Sequence, residues 1–226
     1  MQTPIDKDLA DLKEKLLAMA SHAETAVKSA IEALTTRNED LARSVKDNDA
    51  VIDRFEVEVD EMSIHLLAKA PLATDLRLIT VAMKISQNLE RVGDEASKIA
   101  KRARDLSQEP PLKLFVDIPR MANLALEMLK NALDAFVNHD PATARAVIPR
   151  DKDADALNKQ IYEELAGQMI KKPETIKRCL HVMTISKSLE RIADHAKNVA
   201  EEVVYLYEAQ DIRHPGKGQP SAPPAK

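Results

Sequence analysis

Carboxylates four residues apart recur at matched points of this 226-residue chain: Glu90 and Asp94 in the run Leu89-Glu90-Arg91-Val92-Gly93-Asp94, then Glu190 and Asp194 in Leu189-Glu190-Arg191-Ile192-Ala193-Asp194. A second family of acids lies upstream of each: Asp49, Asp53, Glu56 and Asp60 before the first, Asp151, Asp155 and the neutral Asn158 before the second. On a helix, residues i and i+4 stand one above the other, so each pair presents two carboxylates to one point. Like charges so placed repel by about 0.2 to 0.5 kcal/mol per pair, which water or a cation must relieve. Oxygen-only ligands suit hard cations such as Mg, Mn or Fe and also serve Zn. The alternative is a solvated acidic face with Arg54, Arg91 and Arg191 as counterions.

The acids hold one phase relative to the apolar residues. Leu78, Ala82, Ile85, Leu89, Val92, Ala96 and Ile99 step by three and four, as do Val182, Ile185, Leu189, Ile192, Ala196, Val199 and Val203. Such steps mark the buried stripe of an amphipathic helix, and Glu90 and Glu190 each directly follow a stripe leucine. Ile52, Phe55, Val59, Met62 and Leu66 make an equivalent stripe beside Asp53, Glu56 and Asp60; Ala154, Leu157 and Ile161 do so beside Asp155 and Asn158.

Elements able to carry these stripes follow from composition. Only four glycines, six aromatics and no tryptophan occur, so turn-rich sheets and phosphate-cradling loops are excluded and long helices are expected. Proline is barred from helix interiors, and the gaps between the twelve prolines are long. Six helices are expected, at about 5–35, 39–69, 72–107, 117–138, 141–171 and 174–209. Thr35 to Asp40 reads as a turn ending in an N-cap, Pro149 should break the fifth helix near its start, and polar Lys46 to Asp49 should break the second. The longest helix points to an elongated bundle.

Met83 to Ala96 matches Met183 to Ala196 at an offset of 100, while Val45, Asp49, Asp53, Phe55 and Val59 match Val147, Asp151, Asp155, Leu157 and Ile161 at 102. The fold class is therefore all-α: two tandem three-helix bundles related by pseudo-twofold symmetry, spanning 1–109 and 110–210. Residues 211–226, rich in Pro, Gly, Ser and Lys, are expected to form a disordered tail.

A net charge of −4 argues against a nucleic-acid-binding surface. A single cysteine, Cys179, excludes an internal disulfide and a cysteine-built zinc site. The first residues carry no leader pattern and no apolar run approaches 18 residues, so a cytoplasmic protein with only peripheral membrane contact is expected. Acidic pairs on facing helices also admit a carboxylate-bridged di-metal oxidase, yet such bundles need Glu-x2-His, and no Glu here has His three residues on. His195 is placed either as a support for Asp194 or at the surface, and His65 reads as an ordinary half-buried residue. Lys98, Lys101, Arg102 and Arg104 form a basic group, read as a solvated face or as a contact for a partner or anionic lipid.

The words Pro71-Leu72-Ala73-Thr74-Asp75-Leu76-Arg77, Leu89 to Ala96, Leu189 to Glu202 and Asp211-Ile212-Arg213-His214 strongly resemble the PhoU family of phosphate-transport regulators, over Asp8 to His214. The resemblance implies a non-catalytic dimer that binds metal through its repeated acidic motif. The metal ligands it implies are Asp49, Asp53, Glu90 and Asp94 in the first bundle and Asp151, Asp155, Glu190 and Asp194 in the second, with Fe, Mn, Mg or Zn as the ion. It implies two partners, the phosphate ABC transporter (its ATPase subunit) and a PAS-containing sensor histidine kinase, which is held in its phosphatase state when phosphate is plentiful. Departures from the family pattern are Asn158 where the first repeat has Glu56, Ala193 opposite Gly93, Lys187-Ser188 for a more usual Arg-aromatic pair, and Ala209 where Gly is expected. The first of these implies a second site poorer in charge.

Overall fold

In a computed structural model that describes residues 4–69, 72–112 and 117–213, the chain is helical throughout, with no strand among the described residues. The helices are α1 (Pro4–Thr36), α2 (Glu39–Leu67), α3 (Ala73–Ser107), α4 (Ile118–Asn138), α5 (Pro141–Val147), α6 (Asp151–Lys171) and α7 (Ile176–Glu208). The fifth expected helix is interrupted at Pro149, as its missing N–H requires: a 3-10 turn, Ile148–Arg150, separates α5 from α6. A second such turn, Pro173–Thr175, leads into α7. At the α1–α2 junction Asn38 is the N-cap, its Oδ1 accepting the Leu41 N–H at 3.0 Å.

The expected break at Lys46 to Asp49 does not occur, and α2 is continuous. Asp and Asn in a helix interior each forgo only about 0.7 kcal/mol at most relative to Ala, and no Gly or Pro intervenes. Buried Ala42, Val45 and Ile52 fasten the helix on both sides of the polar run.

Helices α1, α2 and α3 pack on one another as the first bundle, and α4, α5, α6 and α7 as the second. Every residue of the two long stripes, from Leu78 to Ile99 and from Val182 to Val203, is buried. The repeat extends to polar detail: Ser86 Oγ lies 3.3 Å from Met19 Sδ in the first bundle, and Ser186 Oγ 3.5 Å from Met121 Sδ in the second. At 35 residues, α3 runs about 53 Å.

The bundles meet along α3 and α7. Arg77 donates to Leu206 O, Lys84 to Glu202 (3.1 Å) and Arg191 to Glu95 (3.2 Å), so partner numbers rise on one helix as they fall on the other and the pair runs antiparallel. This seam explains why α3 and α7 bury a second flank, including the carboxylates Glu95 and Glu202. Residues 211–213, expected to belong to a disordered tail, instead lie against the body: Arg213 pairs with Glu202 at 3.1 Å, and Ile212 packs on the core. The rest of that tail, 214–226, lies outside the described residues.

Candidate functional site

On each bundle the acids lie where two neighbouring helices face each other beside the core. In the first, Asp49 and Asp53 come from α2, Glu90 and Asp94 from α3; in the second, Asp151 and Asp155 come from α6, Glu190 and Asp194 from α7. Exposure repeats with position. Asp53 and Asp155 are exposed, whereas Asp49, Glu90, Asp94, Asp151, Glu190 and Asp194 are half-buried. Among the described residues, no three His, Cys, Asp or Glu side chains close on one point as a preassembled ion cage.

The first bundle gathers negative charge with no lysine or arginine among the described residues bridging its two acidic helices by an ion pair; its cations stand at the rim, in Arg91 and in the basic groove beside Asp49 and Asp94. Burial raises the Asp49 carboxyl above its ordinary pKa, Ser97 beside it acts the other way, and Asp53 and Asp94 push it up further. Glu90 is raised by burial and then by Asp94, and Glu56 by burial and then by Asp60. Of the arginines expected as counterions, Arg91 alone serves, at 3.3 Å from Glu90 and 3.7 Å from Asp94 on the solvent side. Arg54 donates to Ala50 O, and Arg191 reaches across the seam to Glu95. Gly93 sits in this face: a Cβ built there would lie 2.8 Å from Ile52 Cδ1 and 3.3 Å from Asp49 Oδ1, so the missing side chain lets α2 and its aspartate approach α3. Half-buried carboxylates of raised pKa around a close helix approach suit an oxygen-ligated hard cation.

The second bundle solves the same repulsion internally. Lys197 Nζ donates to Asp151 Oδ2 and to Asp194 Oδ1, each at 2.8 Å. Burial works against its charge, but the two carboxylates outweigh burial and hold the ammonium well above the usual lysine range. Lys187 lies 2.6 Å from Glu190. Asn158, the neutral counterpart of Glu56, accepts a hydrogen bond from Ser186 Oγ at 2.7 Å.

Neither placement expected for His195 holds. It is half-buried in the seam, with Nδ1 3.0 Å from Asn88 Oδ1, and burial foremost lowers its pKa, against the pull of Asp194. His65 is exposed rather than half-buried. In the basic group, Lys98 donates to Glu95 and Arg102 to Asp105, while Lys101 and Arg104 join Arg43 and Lys46 around a groove of about 580 Å³ that Asp49 and Asp94 also line. Lys197 and the seam carboxylate Glu95 are not marked by the stripe or by the acidic pairs; the sequence signals available were the exchanges of Ser97 for Lys197 and of Glu95 for His195 between the repeats.

Fold and faces together define an all-α tandem-repeat protein with paired acidic surfaces. The chain belongs to the PhoU family: the PhoU domain matches it twice, over residues 16–103 and 118–203. It is 39% identical over 211 residues to the phosphate-specific transport system accessory protein PhoU homolog of Pseudomonas aeruginosa, covering 92% of this chain and 87% of that protein. It is 40% identical to the homolog of the same name from Aquifex aeolicus, covering 92% and 95%. The crystal structure of PhoU from Pseudomonas aeruginosa superposes with a TM-score of 0.89 over 91% of this chain and 99% of that one, at 38% identity. The phosphate transport system regulatory protein PhoU from Streptococcus pneumoniae superposes at 0.85, with 26% identity, over 92% and 99%. These relatives are named as accessory or regulatory proteins, not as enzymes.

Proposed function

We propose that this chain is a non-catalytic accessory protein of a phosphate-specific transport system. In this reading it joins the ATPase subunit of the phosphate ABC transporter to a PAS-containing sensor histidine kinase and restrains the phosphate-starvation response when phosphate is plentiful. The observation that carries the reading is the doubled PhoU domain, spread over nearly the whole helical body rather than one motif. It works in the cytoplasm as a homodimer and touches the membrane only peripherally; no described helix is long and apolar enough to cross one.

The first acidic face holds a divalent or trivalent cation, Fe, Mn, Mg or Zn, through Asp49, Asp53, Glu90 and Asp94. Supporting this are the raised carboxyls of Asp49 and Glu90 and the close approach that Gly93 permits. Bound there, a cation would relieve the mutual repulsion of α2 and α3 and so stiffen the bundle face offered to a partner. A di-metal oxidase gains no support from the three histidines on the acidic helices: His65 is exposed, His195 faces Asn88 across the seam, and His181 lies beside Asp105, outside both sets of acids.

Coprecipitation of the full chain with the sensor module of the kinase, at high and at low phosphate, tests the partner assignment. Capture that depends on phosphate supports it. Equal absence of capture in both conditions contradicts it.

A further inference from the structure

The two repeats differ at one position that decides how each acidic pair is neutralised. Ser97 lies one turn beyond the Glu90-x3-Asp94 motif, and the residue at the matched place, 100 positions on, is Lys197. Ser97 is uncharged and sits beside Asp49. Lys197 bridges the α6 aspartate and the α7 aspartate, at 2.8 Å to each. An ammonium in this position supplies one positive charge and hydrogen bonds to both carboxylates, which is the service a bound cation would render.

We infer that the second bundle carries its cation built in: Lys197 Nζ fills the place between Asp151 and Asp194, and metal uptake is confined to the first bundle. The inference rests on the cation reading of the first face given above. Three further observations converge on it. The Lys197–Asp151 arm of the bridge is half-buried, at 24% and 18% exposed, and so is less screened than a surface ion pair, whereas Asp194 is 47% exposed and its arm is the more screened. A second lysine, Lys187, takes Glu190 at 2.6 Å, so three of the four acids of the second set are paired with a lysine. Asn158 removes the charge that Glu56 adds to the first face, so the second face is poorer in acid. A divalent ion entering there would have to displace the ammonium from both carboxylates and forfeit its two hydrogen bonds, which opposes binding.

Side-chain exchange between repeats tests this with Mn2+ alone as the probe, read by titration calorimetry and by bound Mn2+ after gel filtration. Asp151→Asn with Asp194→Asn is expected to leave the Mn2+ bound per chain unchanged. Lys197→Ser should add Mn2+ that the same double substitution then removes, and Ser97→Lys should abolish binding by the first bundle. Circular dichroism identifies any variant that does not fold, and the other exchange then decides. Loss of about half the bound Mn2+ from the Asp151→Asn, Asp194→Asn protein overturns the inference, as does Lys197→Ser protein that folds and gains none. If the unaltered chain takes up no Mn2+, the cation reading of the first face fails instead, and Lys197→Ser alone judges the lysine: a gain upholds its role and no gain refutes it.

Discussion

Glu95 on α3 and Arg191 on α7 join the two bundles through a hydrogen bond of 3.2 Å at a carboxylate only 5% exposed. Lys98 donates to the same oxygen at 2.9 Å, so one buried acid is shared by a cation from each bundle. The relative setting of the two acidic faces depends on this seam.

Replacement of Glu95 by Gln should therefore cost about 1 to 2 kcal/mol, the lower part of the range for a hydrogen bond to a charged group, because both cations remain half in water. Burial by itself would raise the Glu95 pKa, but Lys98, Ser188 and Arg191 together hold it below its ordinary value of 4.5. The folded carboxyl is thus the stronger acid, so its contribution is present above pH 4.5 and is lost as pH falls through the lower folded pKa. Urea unfolding at pH 7 and again below pH 4 checks both points: the penalty of Glu95→Gln should shrink in acid.

Ala209 ends α7 in the left-handed region, with φ at 56°, where a Cβ is crowded and Gly is the usual residue. Ala209→Gly should raise stability by about 0.5 to 1 kcal/mol, seen as a gain of about 2 °C or more in thermal midpoint. Ala209→Val should lower it. A Gly variant less stable than the parent would mean that the cap is not strained.

Gly93→Ala sets two effects against each other. Helix propensity favours Ala by about 1 kcal/mol, while the added Cβ would press on Ile52 Cδ1 and on Asp49 Oδ1. The Ile52 tip can rotate away, so chemical denaturation should show a change well short of that gain, with weaker Mn2+ binding as Asp49 is displaced. A full gain in stability with unchanged Mn2+ affinity would argue against any need for close approach.

Metal content gives a further test. Elemental analysis of chelator-free protein should find metal that falls on combined Asp53→Ala and Asp94→Ala substitution. Content that stays the same would remove these residues as ligands.

Much of the fold was legible because proline and stripe periodicity are local signals: Pro149 interrupts its helix, and Leu89, Val92 and their repeats are buried. The break expected at Lys46 to Asp49 failed because tertiary packing of Val45 and Ile52 outweighs weak local propensity. The phase of the acids could be read in the same way, but their neutralisation could not. A lysine stem is long and flexible, so whether Lys197 meets solvent or a carboxylate on the adjacent helix depends on how α6 and α7 pack. Glu95 and His195 were hidden for a related reason: the seam between bundles lies on a flank of α3 and α7 that the single stripe does not mark.

The function proposed for this chain is restraint of the phosphate-starvation response. Deleting its gene and following a phosphate-starvation promoter in cells grown in high phosphate tests this most directly. The promoter should become active without starvation and fall silent again when the chain is restored; a promoter that stays repressed in the deleted strain would rule out this role.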